Sequence, residues 1–263
     1  MTATMPASRR RRTAGVPSPT PEWAYFVDLD GTLLDIAPRP GDVQVDAELR
    51  ATITALTTLT GGAVAIITGR PVAEVDQLFP ALHLPVAGQH GLERRAPNGH
   101  VTRCSPPLPA LDLARTRLRD VVQRHPGLLL EDKGLSLALH YRQALALASY
   151  AHRVMRQVGD VAGAEFCVQR GKRVVELKLA GRDKGTAIRT FLTEAPFRGR
   201  RPVFIGDDMT DEYGFAVINE LDGISVKVGP GRTTAGWRMR DVRAVRRWLS
   251  QAVAASAGGA VPS

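Results

Sequence analysis

The chain has 263 residues, of which 44% are hydrophobic and 23% charged, with a formal net charge of +9 and only two cysteines, Cys104 and Cys167. That length buries a sizeable core in one large or two modest domains. No run approaches the ~20 apolar residues of a membrane span, and two cysteines make no disulfide framework.

Residues 1–21 hold four arginines, Arg9 to Arg12, and no acid. They show no hydrophobic periodicity and read as a disordered basic tail. An export signal needs an apolar run after the arginines, and residues 13–21 offer none, so a cytoplasmic protein is expected. A second basic cluster is Arg238, Arg240, Arg243, Arg246 and Arg247. Such charge attracts nucleic acid or anionic lipid. No nucleic-acid motif accompanies it and aromatics are scarce, so solvated faces and an attraction for small anions are the preferred reading.

Residues 24–29 (AYFVDL) are a short apolar run that predicts a buried strand. Residues 46–59 carry helical spacing at Leu49, Ile53, Leu56 and Leu59, with Asp46 placed to cap it. Residues 63–67 (AVAII) predict a second buried strand, and Pro71 marks the start of the next helix. Strand, helix, strand, helix implies a parallel sheet with helices on both faces.

The rhythm changes after Ser105. Pro106, Pro107, Leu108 and Pro109 read as a linker. A helix is predicted over 111–123, paired strands over 128–131 and 135–141, a helix over 150–158, and a hairpin of 165–169 with 173–177 around Gly171-Lys172. This is an α+β insert. The α/β rhythm returns at Lys184 with a helix, a strand over 202–205, a helix after Thr210, a strand over 224–228 and a closing amphipathic helix over 241–253. The expected fold class is α/β: a Rossmann-like core with a parallel sheet, residues 22–105 and 182–254, interrupted by a cap, residues 106–181. A flexible tail follows at 255–263.

Four stretches carry chemistry. In Asp28-Leu29-Asp30-Gly31-Thr32 two carboxylates end a buried strand, where the ligand crevice of a parallel sheet lies, and an extended D-x-D turns both to one side. Thr68-Gly69-Arg70-Pro71 places a hydroxyl and backbone N–H groups at a helix start, suited to phosphate, or simply caps that helix. Lys184 opens another helix, from which it reaches an anion in the crevice or lies solvated on the surface. Gly206-Asp207-Asp208-Met209-Thr210-Asp211-Glu212 packs acids that repel one another without a cation, and hard oxygen ligands suit Mg²⁺. Helix-start acids favoured by the macrodipole explain one such cluster, but not two at separate strand ends.

In this order the four stretches resemble the motifs of the haloacid dehalogenase-like (HAD) phosphatases. The interruption between the second and third resembles the cap of the subgroup acting on sugar phosphates. Within it, Gly88-Gln89-His90-Gly91, Glu131-Asp132-Lys133-Gly134, Leu139-His140-Tyr141-Arg142 and Val175-Glu176-Leu177 are similar to the trehalose-6-phosphate phosphatase family. The resemblance covers about residues 25–249. It implies a phosphomonoester hydrolase in which Asp28 is the nucleophile and Asp30 the general acid and base, while Thr68 and Lys184 hold the phosphate. It implies Mg²⁺ held by Asp28, Asp30 through its carbonyl, and Asp207, with Asp208 and Asp211 in support. Gly69, Arg70, Gln89, His90 and Gly91 in the core, and Glu131, Lys133, His140, Arg142 and Glu176 in the cap, are the expected substrate-binding set. Individually each cap charge reads equally well as a solvated hairpin residue. The expected partner is a small sugar phosphate, with no membrane or nucleic acid, and the chain is expected to be a monomer. Sucrose phosphate or mannosyl-3-phosphoglycerate are alternative substrates. A basic nucleic-acid-binding protein with a relict site is the alternative of another class.

Overall fold

The run Ala24–Val27 (β1) is buried at all four positions. A strand apolar on both faces belongs in the middle of a sheet covered on both sides. The structure, a computed structural model describing residues 15–36, 43–104 and 108–257, puts it there. The main sheet has eight strands. In spatial order they are β12 (Trp237–Met239), β11 (Ile224–Val228), β10 (Pro202–Gly206), β1, β2 (Val64–Ile67), β3 (Val86–Gly88), β4 (Glu93–Arg95) and β5 (Val101–Arg103). Pairing is parallel from β12 to β3, and β4 and β5 extend the edge antiparallel.

Side-chain alternation divides this sheet between two cores. Tyr25 and Val27 face Leu49, Ile53 and Leu56 of α1 (Ala47–Leu59) and Val245 and Leu249 of α7 (Val242–Ala257). Ala24 and Phe26 face Ile188 and Phe191 of α5 (Lys184–Leu192) and Phe215 and Ile218 of α6 (Asp211–Glu220). Asp46 caps α1, its side chain accepting from Leu49 N at 2.8 Å, and Arg246 of α7 pairs with the same carboxylate. Arg246 is one of the clustered arginines, so part of that basic charge is used within the fold.

The insert forms a second sheet, antiparallel, in the order β6 (Leu129–Asp132), β7 (Leu137–His140), β9 (Val174–Leu179), β8 (Phe166–Gly171). It packs on α3 (Leu108–Arg124) and α4 (Ala148–Ala162) through its own core, including Leu118, Leu137, Leu139, Met155, Val175 and Leu177. Among the described residues no helix is long and apolar enough to cross a membrane.

Several expectations need correction. Residues 15–21, read as part of a disordered tail, are held: Val16 packs on the core, the Pro17 carbonyl accepts from Trp248 Nε1 at 2.9 Å, and the Thr20 carbonyl accepts from Tyr25 Oη at 2.6 Å. Composition cannot register such tertiary partners. Leu108 and Pro109 belong to α3 and not to a linker; proline is tolerated in a first helical turn, where its missing N–H has no intrahelical acceptor. The last helix reaches Ala257, beyond the expected end of the core at 254. Residues 1–14, 105–107 and 258–263 lie outside the described residues. The strands β3, β4, β5 and β12, of three residues each, were not expected.

Candidate active site

β1 ends at Val27, and the next residue, Asp28, continues the ladder by donating its N–H to the Ile205 carbonyl at 3.0 Å. Its carboxylate therefore emerges at the carboxyl end of the central strand, 4% exposed. α5 begins at Lys184 because Asp183 and Thr186 form a reciprocal capping box, which satisfies the first N–H groups of the helix. Lys184 Nζ then reaches Asp28 Oδ1 at 2.8 Å and Asp211 Oδ1 at 2.6 Å. Asp211 opens α6 after β10. Three separate chain segments thus meet at one buried ammonium. Thr32 Oγ1 donates to the other Asp28 oxygen at 3.2 Å.

Asp28, Asp207 and Asp211 each offer a carboxylate oxygen, all within 4.8 Å of one another. Burial pushes the Asp28 pKa well up; Lys184 opposes this, while Asp211 and Asp207 add to it. Burial and then Asp211 push Asp207 up to about 6. Burial also works against the charge on Lys184, but Asp211 and Asp28 outweigh it and hold the ammonium protonated. Lys184 is the buried ammonium in contact with two of these carboxylates, and Lys172 meets Asp207 from an exposed side chain. Hard anionic donors at this spacing fit a divalent cation.

Asp30 and Asp208 take other partners with their side chains. Arg70 grips Asp30 bidentately, Nε to Oδ2 and Nη2 to Oδ1, both at 2.7 Å, and reaches Glu74 Oε2 at 3.0 Å. Arg70 lines the cleft, yet its guanidinium is directed at these two acids. Asp208 accepts from the backbone N–H groups of Met209 and Lys172. Its carboxylate is outside the three-carboxylate cluster.

The second strand end supplies Thr68 and Gly69, which line the same cleft. Gly69 admits no side chain: a Cβ there would lie 2.7 Å from His90 Nε2. Gln89 and His90 both hold left-handed φ angles, 46° and 56°, a conformation that costs non-glycine residues energy. The turn wraps the Thr68 loop, with Gln89 N donating to the Arg70 carbonyl and His90 N to the Thr68 carbonyl, each at 3.0 Å. His90 lines the cleft, but Gln89 and Gly91 do not. Gln89 is buried behind it, beside Ser136, and Gly91 packs on the start of α5, where a Cβ would meet the Asp183 carbonyl at 3.1 Å. Gln89 and Gly91, expected in the substrate-binding set, thus lie behind the residues that line the cleft.

The cap brings Glu131, Lys133, His140, Arg142 and Glu176 to the same cleft. Glu131 Oε2 lies 2.6 Å from His140 Nε2. Glu176 accepts from Ser136 Oγ at 2.6 Å and lies 3.2 Å from His90 Nε2 and 3.5 Å from Lys133 Nζ. Lys133 Nζ also donates to the Gly69 carbonyl at 3.0 Å, so cap and core are joined by polar contacts. Burial raises the Glu176 pKa, but Lys133, His90 and Ser136 together overcome it and leave the acid depressed. Burial lowers the His90 pKa against the pull of Glu176, which lies beside its Nε2.

Sequence reasoning missed three contributors. Ser136 is fully buried beneath Glu176. Lys172 projects from a cap turn to Asp207 Oδ2 at 3.2 Å. Lys227 donates to the carbonyls of Asp207 and Val228. Only Lys227 had a signal, as the one charge inside the strand-forming run ISVKV.

A family described as trehalose-phosphatase matches residues 26–242. Trehalose-6-phosphate phosphatase of Escherichia coli (strain K12) is 44% identical over 239 residues, covering 89% of this chain and 87% of that one. The chain belongs to the trehalose-phosphatase family. It is a phosphoric monoester hydrolase. A crystal structure of a trehalose-6-phosphate phosphatase related protein superposes with a TM-score of 0.76 at 27% identity, covering 89% of this chain and 98% of that one. A haloacid dehalogenase-like hydrolase from B. subtilis, 14% identical, shares the fold with a TM-score of 0.59 over 86% of this chain and 99% of that one. The core is thus a HAD fold.

The depressed Glu176 gives a pH prediction. A carboxylate held below its usual 4.5 contributes stability above that pH, which is lost as the pH falls through the folded value. Glu176→Gln should therefore lose stability less steeply than wild type below about pH 4.5, as read from urea midpoints. Parallel curves would show that Glu176 is not held this way in solution.

Proposed function

We propose that the protein hydrolyses trehalose 6-phosphate to trehalose and phosphate through a phosphoaspartate on Asp28, with Mg²⁺ as the cation. The observation that carries this reading is the buried Asp28–Lys184–Asp211 contact beside Asp207, facing a cleft whose far wall is lined with cap acids and bases. The 44% identity to the Escherichia coli enzyme supports the choice of sugar.

An Asp28 oxygen attacks phosphorus; the P–O bond to the sugar breaks as the new P–O bond forms. Asp30 gives a proton to the departing sugar oxygen, then takes one from the water that attacks the phosphoaspartate. Phosphate leaves and the Asp28 carboxylate is regenerated. Arg70 holds both oxygens of Asp30 at the cleft. Thr68 and Lys184 hold the phosphoryl oxygens. Asp28, Asp207, Asp211 and the Asp30 carbonyl would hold Mg²⁺, which when bound supplies positive charge to the phosphoryl group.

In the cap, Glu131, Lys133, His140, Arg142 and Glu176 recognise the sugar, whose hydroxyls need paired donors and acceptors. Residues 106–181 act as the cap and 22–105 with 182–257 as the core; the separate hydrophobic cluster of the second sheet supports that division. Cys104 and Cys167 are both free, which supports a cytoplasmic setting.

Phosphate release should be greatest from trehalose 6-phosphate in a panel with sucrose phosphate and mannosyl-3-phosphoglycerate. It should stop in excess chelator and return with Mg²⁺. Full activity in chelator, or a preference for another sugar phosphate, would overturn the respective part. Glu131→Ala and Glu176→Ala should each lower kcat/KM for trehalose 6-phosphate by about 10-fold or more, and leave a small aryl phosphate nearly unaffected. Equal losses on both substrates would assign these glutamates to the fold or the core chemistry.

A further inference from the structure

The cap touches the acidic loop of the core through a second contact that the proposed chemistry does not use. Strands β8 and β9 are joined by a tight turn at Lys172 and Arg173, with Arg173 at a left-handed φ of 65°. The Lys172 N–H donates to Asp208 Oδ2 at 3.2 Å, and Lys172 Nζ reaches Asp207 Oδ2 at 3.2 Å. Gly171 lies so near that a Cβ there would come within 3.2 Å of Asp208 Oδ2.

We propose that Asp208 is the anchor on which this cap turn docks, and not a ligand of the cation. Its two oxygens are divided between the Met209 and Lys172 N–H groups, and its own N–H donates to Asp211 Oδ2 at 2.8 Å. The carboxylate is not among the grouped oxygens of Asp28, Asp207 and Asp211. The two cap contacts also differ in kind. The ammonium of Lys172, on a side chain 58% exposed, competes with any cation for Asp207. The neutral N–H on Asp208 competes with nothing, so it is the contact that persists when the cation is bound. A carboxylate accepting a backbone N–H is a charge-assisted bond.

Docking at this turn ties the β8–β9 hairpin to the core. Glu176, two residues after Val174 begins β9, is thereby delivered to His90. Asp207, Asp208 and Asp211 share one loop, so the segment that assembles the cation site also receives the cap. Asp208 is a positioning residue, acting through the turn.

The test needs no substrate, so it stands or falls apart from the proposed activity. Hydrogen exchange at residues 170–175 and Mg²⁺ binding by calorimetry are measured on the full chain for wild type, Asp208→Ala and Asp208→Asn. Asp208→Ala should speed exchange of the Lys172 amide by about 10-fold or more. Asp208→Asn, which keeps a neutral acceptor, should give a smaller increase. Both should bind Mg²⁺ within about 2-fold of wild type. A fall in Mg²⁺ affinity of about 10-fold or more would make Asp208 a ligand, and unchanged exchange in both variants would remove the docking contact. If Asp208→Ala does not fold, Lys172→Pro removes the donor from the other side and should speed exchange at the neighbouring amides of the turn; unchanged exchange there would equally overturn the proposal.

Discussion

Lys184 Nζ lies 2.8 Å from Asp28 and 2.6 Å from Asp211, and the three side chains are between 0% and 6% exposed. Taking such charges out of water costs several kcal/mol each unless they are paired and well placed. The pairing is possible only because a central strand, a capped helix start and a second helix start converge on one point. That convergence is a property of the parallel part of the sheet, β12 to β3, whose strands all end on the same side. The ammonium makes a close carboxylate cluster tolerable, and that cluster offers the hard oxygen donors that fit a cation. The chemistry of the site and the topology of the core are therefore two aspects of a single arrangement.

The cap solves a related problem. Glu131, Lys133, His140 and Glu176 line the cleft, and they partner one another, His90 and the Gly69 carbonyl. Buried polar groups without partners are costly, and these contacts remove that cost. A bound sugar has to replace them with hydroxyl contacts of similar quality. An alcohol that lacks a matching hydroxyl leaves a buried carboxylate or ammonium unpaired, which is how a polar site rejects analogues. The left-handed conformations of Gln89 and His90 belong to the same design: local strain holds the imidazole between the Thr68 loop and Glu176.

Much of this was legible in the residues. AYFVDL and AVAII are apolar on both faces, so their burial and their place in the sheet follow from composition alone, and Asp28 and Thr68 follow from the strand ends. The acidic loop after β10 stood out because the helix macrodipole explains one acidic cluster at a helix start but not two at separate strand ends. The misses have a common cause. Strands of three residues that carry Glu93, Arg94 and Arg95 show no periodicity to read. Ser136 and Lys172 matter because of what the fold sets opposite them, and a hairpin turn does not reveal in sequence which surface it meets. Asp208 is the instructive case. It sits among ligand-like neighbours, and its carboxylate accepts from the Met209 and Lys172 N–H groups.

The central claim is that Asp28 carries the phosphoryl group during turnover. The most direct measurement is acid quenching in the first turnover of trehalose 6-phosphate with Mg²⁺, followed by mass spectrometry of the peptide containing Asp28. The account predicts that this peptide gains one phosphoryl group, localised to Asp28, that the label disappears when substrate is exhausted, and that Asp28→Asn never acquires it. Phosphate release with no label on any peptide, or with the label on another residue, would contradict it.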